Sequence, residues 1–216
     1  MIRFLALFTL FFEPTFTAQA DQERPVLVEL FASQNCAACP KAHKTMREIS
    51  TERDDVFVLT WSVSYWDYLG EPDPMALKEA KTRQAVYADN LGLRAPYTPQ
   101  SIYDGLKQCP GPRKRAVRKN ISDRVNTDRS GAPKLQRTDN GFTVEGLATE
   151  ALELTLVEFL EGDANTTNMV NPVINSRELG LWTGDTSAIE ASCEQACAVM
   201  LHKPNYGEVL SVLKLN

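Results

Sequence analysis

An α/β fold followed by a β-rich C-terminal extension is the fold class this sequence predicts, and three observations predict it. Residues 26–31 are an apolar run fit for a buried strand, and residues 56–63 are a second, β-branched one. Between them, residues 38–52 carry Ala42, Met46 and Ile49 on one helical stripe, which makes a right-handed βαβ unit with parallel strands. Beyond about residue 130 the helical stripes give way to alternation and hairpin turns.

The chain has 216 residues, 43% hydrophobic and 24% charged, which is enough for a domain with a full core and a sizeable extension. A formal net charge of −5 gives no long-range attraction for nucleic acid, so no nucleic-acid partner is expected. At the N-terminus, Arg3 precedes an apolar run from Phe4 to Phe12, and Ala18-Gln19-Ala20 offers a small-x-small cleavage pattern. Residues 1–20 therefore read as a secretory signal peptide. A membrane anchor is disfavoured, because a spanning helix takes about 20 apolar residues and Glu13-Pro14 interrupts this one. The expectation is a periplasmic or secreted bacterial protein with no stable membrane insertion after cleavage.

The remaining elements follow in order. Tyr65 to Pro74 is an aromatic loop closed by prolines, and a helix over residues 75–91 ends at Gly92. Ala95-Pro96-Tyr97-Thr98-Pro99 is a rigid turn before a short strand over 100–103, which the Asp104-Gly105 turn ends. Pro112 opens a helix reaching about residue 126. Its basic residues (Arg113, Lys114, Arg115, Arg118, Lys119) read as a solvated face opposite the stripe Val117, Ile121, Val125. In the extension, Asp139-Asn140-Gly141 marks a hairpin, and Leu152, Leu154 and Leu156 mark a half-buried strand. Residues 170–179 are extended, and a closing hairpin turns at residues 203–207. The expected division is 21–130 for the α/β domain and 131–216 for the extension.

Cys36-Ala37-Ala38-Cys39 lies where the first strand ends and the helix begins. The amide groups and dipole of a helix start favour a thiolate on Cys36, which makes Cys36 the attacking thiol and Cys39 the resolving one. A zinc site would want a second Cys/His pair at suitable spacing, whereas Cys193 and Cys197 come late and one residue too far apart. Parallel strands bring Tyr65, Trp66 and Asp67 to the same sheet edge, where ligands of open α/β sheets bind. If the third strand is antiparallel, Thr98-Pro99 starts there too, and a cis bond at Pro99 would present the Thr98 backbone to a bound peptide. Glu29, a carboxylate inside an apolar strand, is a candidate proton acceptor for the resolving thiol; the alternative is that it faces solvent.

Taken in order, Val28-Glu29-Leu30-Phe31, Cys36-x-x-Cys39-Pro40, Tyr65 to Gly70, Asp73-Pro74, Tyr97-Thr98-Pro99-Gln100, Cys197 to Leu201 and Gly207 to Leu210 resemble a bacterial secreted family of unknown function with a thioredoxin-like fold. The resemblance spans nearly the whole mature chain and implies fold and export, with no substrate. It carries over Cys36, Cys39, Pro99 and, offset by one residue, Glu29. The chain departs from that pattern at Ser62 and Ser64, where a His and an Asp are usual, and at Glu71, where an aromatic is usual.

Of the five cysteines, Cys193 and Cys197 are expected to form a structural disulfide, with pairings to Cys109 as alternatives. His43 reads as a solvated helix residue rather than a copper or zinc ligand, and no cofactor is expected. The first functional expectation is a thiol–disulfide oxidoreductase acting on thiols or disulfides of exported proteins. It uses Cys36, Cys39, Pro99 and Glu29 for catalysis and Thr98, Tyr65 and Trp66 for substrate. The alternatives are a copper carrier using Cys36 and Cys39, and a secreted binding module in which that pair is an inert disulfide.

Overall fold

The computed structural model describes residues 24–216, so the expected signal peptide lies outside the described residues. The first half runs β1 (Val26–Ala32), α1 (Cys39–Glu52), β2 (Val56–Ser62), α2 (Lys78–Asn90), β3 (Gln100–Tyr103), β4 (Lys107–Pro110) and α3 (Lys114–Val125). Its strands form one sheet in the order β2-β1-β3-β4, with β1 and β2 parallel and the other pairs antiparallel.

Two boundaries differ from expectation, each for a local reason. The helix α2 starts at Lys78 rather than residue 75. Asp73 Oδ1 takes the Met75 N–H at 2.9 Å and the Ser62 carbonyl takes the Leu77 N–H at 3.0 Å, so a turn at residues 74–75 and a bridge from Ala76 to β2 precede the helix. The helix α3 starts at Lys114, two residues past Pro112, because the Arg113 N–H is spent on the Pro110 carbonyl at 3.0 Å. Asp104 and Gly105 end β3 at Tyr103, as the turn signal implies. Both have positive φ (45° and 72°) and the Leu106 N–H reaches the Tyr103 carbonyl, a hairpin turn that leads into the unanticipated β4. A side chain at Gly105 would also collide with the Gly207 carbonyl at 2.5 Å. On α3, Val117 and Ile121 are buried but Val125 is exposed, so the apolar stripe stops one turn early. Its basic face pairs with α1, Lys114 with Glu48 and Arg118 with Glu52.

The second half runs β5 (Lys134–Thr138), β6 (Gly141–Glu145), β7 (Leu152–Phe159), β8 (Val173–Trp182), β9 (Ile189–Glu190), β10 (Ala196–His202) and β11 (Val209–Lys214). These form a second sheet, β11-β10-β7-β8, and a third, β5-β6-β9. The fold is therefore mixed α/β with three sheets and three α-helices among the described residues.

All seven residues of β1 are buried, and strand alternation divides them between two cores. Val26, Val28, Leu30 and Ala32 meet Ala42, Met46 and Ile49 of α1, Val117 and Ile121 of α3, and both Cys36 and Cys39. Leu27 and Phe31, with Leu59 and Trp61 of β2, meet Val157, Phe159, Met200 and Val212 of the second sheet. A third core joins Phe142 and Val144 to the far face of the second sheet through Leu154, Leu156 and Val199. Being covered on both faces, β7 buries Thr155 as well as its leucines, so it is not the half-exposed strand that its alternation suggests. The outer edge of β2 is capped by Val170 and Asn171, whose carbonyls accept from the Thr60 hydroxyl and N–H.

Candidate functional site

The site is built at the carboxyl ends of β1 and β2 and the start of β3. After β1 the chain turns at Ser33, whose carbonyl takes the Cys36 N–H at 3.2 Å. The Cys36 carbonyl takes the Cys39 N–H at 3.0 Å, and α1 begins at Cys39 with Pro40 in its first turn. Pro40 lacks an N–H, and first-turn N–H groups have no partner within a helix, so it costs nothing there. Cys36 and Cys39 are joined by a disulfide. Cys36 is 7% exposed and Cys39 1%, so the pair meets solvent mainly through Cys36.

The turn before Cys36 is tied to the loop after β2. The Gln34 N–H donates to Asp73 Oδ2 at 2.8 Å, and Gln34 Nε2 and Asn35 Nδ2 both donate to the Glu71 carbonyl. Gly70 lies so close to Asn35 that a Cβ there would stand 2.7 Å from its Oδ1. The loop itself holds three rings in series. The Tyr65 and Trp66 centroids are 5.7 Å apart, and those of Trp66 and Tyr68 6.1 Å. Tyr65 is anchored inward through its hydroxyl, which donates to Gln84 Oε1 at 3.2 Å; burial pushes its pKa up. At the outer end, Tyr68 and Leu69 are 76% and 58% exposed beside this turn.

The third wall is the β3 start. The Thr98–Pro99 peptide bond is cis, and Phe31 pairs with Gln100, so Pro99 lies level with the end of β1. Trp66 Nε1 donates to Thr98 Oγ1 at 2.7 Å, which joins the aromatic loop to this segment. Gln84 Nε2 bonds both the Tyr97 carbonyl and Gln100 Oε1 at 2.9 Å. Gly111 lets β4 approach closely: a Cβ there would meet Ala42 and Leu30 at 2.9 Å. The structure thus brings Cys36, Cys39, Thr98, Pro99, Tyr65 and Trp66 to one sheet edge.

Glu29 does not join them. It belongs to the opposite face of β1, fully buried and solvent-free, where Arg83 Nε and Nη2 reach its two oxygens at 2.6 and 3.1 Å and the Tyr87 hydroxyl adds a third bond. Neither alternative drawn from the sequence holds: the carboxylate does not face solvent, and strand alternation turns it away from Cys39. Burial works against the Arg83 charge, but Glu29 and Tyr87 more than offset it and hold its pKa above the usual arginine value. The guanidinium also lies over the Trp61, Tyr87 and Tyr206 rings.

On the cysteine face, His43 is not the solvated residue expected. It sits one helical turn past Cys39, with Nδ1 enclosed and without a protein partner. Burial, then the positive field of Arg47, push its pKa down to about 4 against an opposing pull from Asp73. Asp73 and Gln84, which fix the loop and the β3 start, are the structural residues that sequence reasoning missed. The Asp73-Pro74 pair, a turn-initiating dipeptide after a β-strand, was the available signal for the first. Cys193 and Cys197 form the second disulfide, and Cys109 is a buried free thiol hydrogen-bonded within β3 and β4 to Tyr103 and Ser101. Among the described residues, no group of three or more His, Cys, Asp or Glu side chains is arranged to hold a metal ion. No helix among them is long and apolar enough to cross a membrane.

The sequence profile of a family described as a protein of unknown function, DUF1223, matches residues 27–198. The chain belongs to that family. Among solved structures, this DUF1223 chain is similar to a protein of Agrobacterium tumefaciens determined by a structural genomics consortium. The two share 25% identity over 90% of this chain and 95% of that one, with a TM-score of 0.75. It is also similar in fold to HBP35 of Porphyromonas gingivalis, at 14% identity and a TM-score of 0.51, covering 89% of this chain and 74% of the other. No curated protein matches the sequence.

Proposed function

We propose that this DUF1223 protein is a thiol–disulfide oxidoreductase with a thioredoxin-like first half, acting on protein thiols outside the cytoplasm through Cys36 and Cys39. The observation that carries this reading is the pairing of a Cys-x-x-Cys disulfide at a strand–helix junction with the Thr98–Pro99 segment at the same sheet edge, tied to the aromatic loop through Trp66. The β1-α1-β2 unit, with β3 and β4 antiparallel beside it, supports the thioredoxin-like assignment. The signal-like residues 1–20 support export, where disulfides persist.

In the oxidising direction, a substrate thiolate attacks Cys36 Sγ and the Cys36–Cys39 bond breaks. Cys39 takes the electron pair as a thiolate, and the substrate is held as a mixed disulfide on Cys36. A second substrate thiolate then attacks the substrate sulfur and releases Cys36 as a thiolate. Two substrate thiols become one disulfide, and the pair becomes a dithiol. The reverse sequence reduces a substrate disulfide. Thr98 offers its backbone, and Tyr65 and Trp66 hold the wall beside it.

Equilibrating the mature protein in graded glutathione buffers and counting alkylated Cys36 and Cys39 by mass tests the reading. A midpoint between about −120 and −270 mV is expected, the range of known catalysts. A pair still oxidised below about −300 mV behaves as a structural bridge and overturns it. Cys36→Ser should reduce exchange with a model protein disulfide to the uncatalysed background.

A further inference from the structure

The second disulfide lies on the wall of a cleft that the proposed function leaves unused. Cys193 and Cys197 are separated by 4 positions, and a ring that short removes less entropy from the unfolded chain than a long one does. The Cys197 end is also held by other bonds. Cys197 is in β10, its N–H donating to Asn216 Oδ1 and its carbonyl accepting from the Leu215 N–H, both at 2.9 Å.

Its two ends differ. Cys197 is 2% exposed within the third core, whereas Cys193 is half-buried in the irregular segment between β9 and β10. Both line a cleft of about 630 Å³, a size that holds small molecules rather than a folded domain. The cleft presents charges of both signs. Arg177 lines it, its Nη2 donating to the Ser192 carbonyl at 3.5 Å, and Asp139 and Glu190 line it with carboxylates.

We propose that Cys193–Cys197 is a second exchange site, which takes a small zwitterionic thiol from this cleft. The ligand's carboxylate faces Arg177 and its ammonium faces Asp139 and Glu190. Its thiolate attacks Cys193 Sγ, the reachable sulfur; the Cys193–Cys197 bond breaks, and Cys197 leaves with the electron pair as a thiolate. The product is one mixed disulfide on Cys193, with no further oxidant or reductant consumed. Nothing in this step involves Cys36 or Cys39, so it stands or falls separately from the proposed function.

The test uses the intact mature chain and glutathione as the probe, with acid quenching and peptide-level mass mapping. The expected result is a glutathione adduct on Cys193 and not Cys197, formed at a rate that saturates with glutathione concentration. The uncharged thiol β-mercaptoethanol should react without saturation, and Arg177→Ala should abolish saturation while leaving the slow bimolecular rate. An adduct on Cys197, reaction only after denaturant is added, or a strictly linear glutathione dependence in the unsubstituted chain would each overturn the proposal. Because mapping separates the four bonded cysteines by peptide, an inert Cys36–Cys39 pair would leave this result readable.

Discussion

The two faces of β1 have been given different tasks. The even-numbered residues support α1 and, through it, the Cys36–Cys39 pair; the odd-numbered ones meet the second sheet and carry the Glu29–Arg83 ion pair. A period of two residues is all that separates them. Glu29 is seven positions before Cys36 in sequence, yet its partners are Arg83 and Tyr87, and Arg83 in turn reaches Met200 and Tyr206. In a strand buried on both sides, parity decides what a carboxylate touches, and distance along the chain decides little. One histidine stands on each side of this divide. His43 flanks the cysteines, and His202 is buried in the second sheet, its Nδ1–H donating to the Lys203 carbonyl and its Nε2 accepting from Thr155.

The sharpest way to break this comparison is to remove Glu29. With Ala at position 29 the Arg83 guanidinium is left buried and unpaired, which costs about 3–5 kcal/mol. Urea unfolding should show that loss. The rate and pH profile of thiol exchange, measured on the folded protein, should stay as they were. A shifted pH profile would mean that the carboxylate acts on Cys39 through β1, and the division between the faces would fail.

Acid sharpens the same comparison. Burial, then Arg83, push the His202 pKa down to about 4, against the hydrogen bond to Lys203, whereas in the unfolded chain it returns to about 6.5. Between those values the unfolded state binds the extra proton. Stability is therefore constant above about pH 6.5 and falls as pH drops toward 4, by roughly 3 kcal/mol for His202. His43, also pushed down to about 4, acts in the same direction. Denaturant midpoints at pH 7 and pH 4.5 check the sign, and His202→Gln and His43→Gln should each flatten the slope.

Much of the cysteine face was legible in the sequence, because its signals are local. An apolar run, a Cys-x-x-Cys-Pro and an apolar helical stripe place Cys36 and Cys39 without any long-range information. The hairpins at Asp139-Asn140 and residues 203–207 were readable for the same reason. The other face was not, since Arg83 lies 54 residues from Glu29 and nothing in α2 names its partner. One signal did exist. A strand with almost no polar residue needs cover on both faces, and Val26 to Phe31 already required a second layer that the C-terminal strands supply. The short strands β4 and β9 left no such trace, being 4 and 2 residues long.

The smallest expected effect lies wholly on the cysteine side. Trp66→Phe keeps an aromatic ring against Tyr65 and Tyr68 but deletes the N–H that donates to Thr98. A single hydrogen bond of this kind contributes about 1 kcal/mol, so the midpoint of unfolding should move only slightly. Exchange should respond unevenly. Under the proposed function a small thiol needs only Cys36, which the substitution leaves in place, whereas a protein thiol also lies along the Thr98 backbone that Trp66 holds. The substitution should therefore slow exchange with a protein substrate and spare exchange with a small thiol. Equal slowing of both would mean that Trp66 supports the disulfide itself. No change in either would remove Thr98 from the substrate surface and leave the aromatic loop as cover for the sheet end.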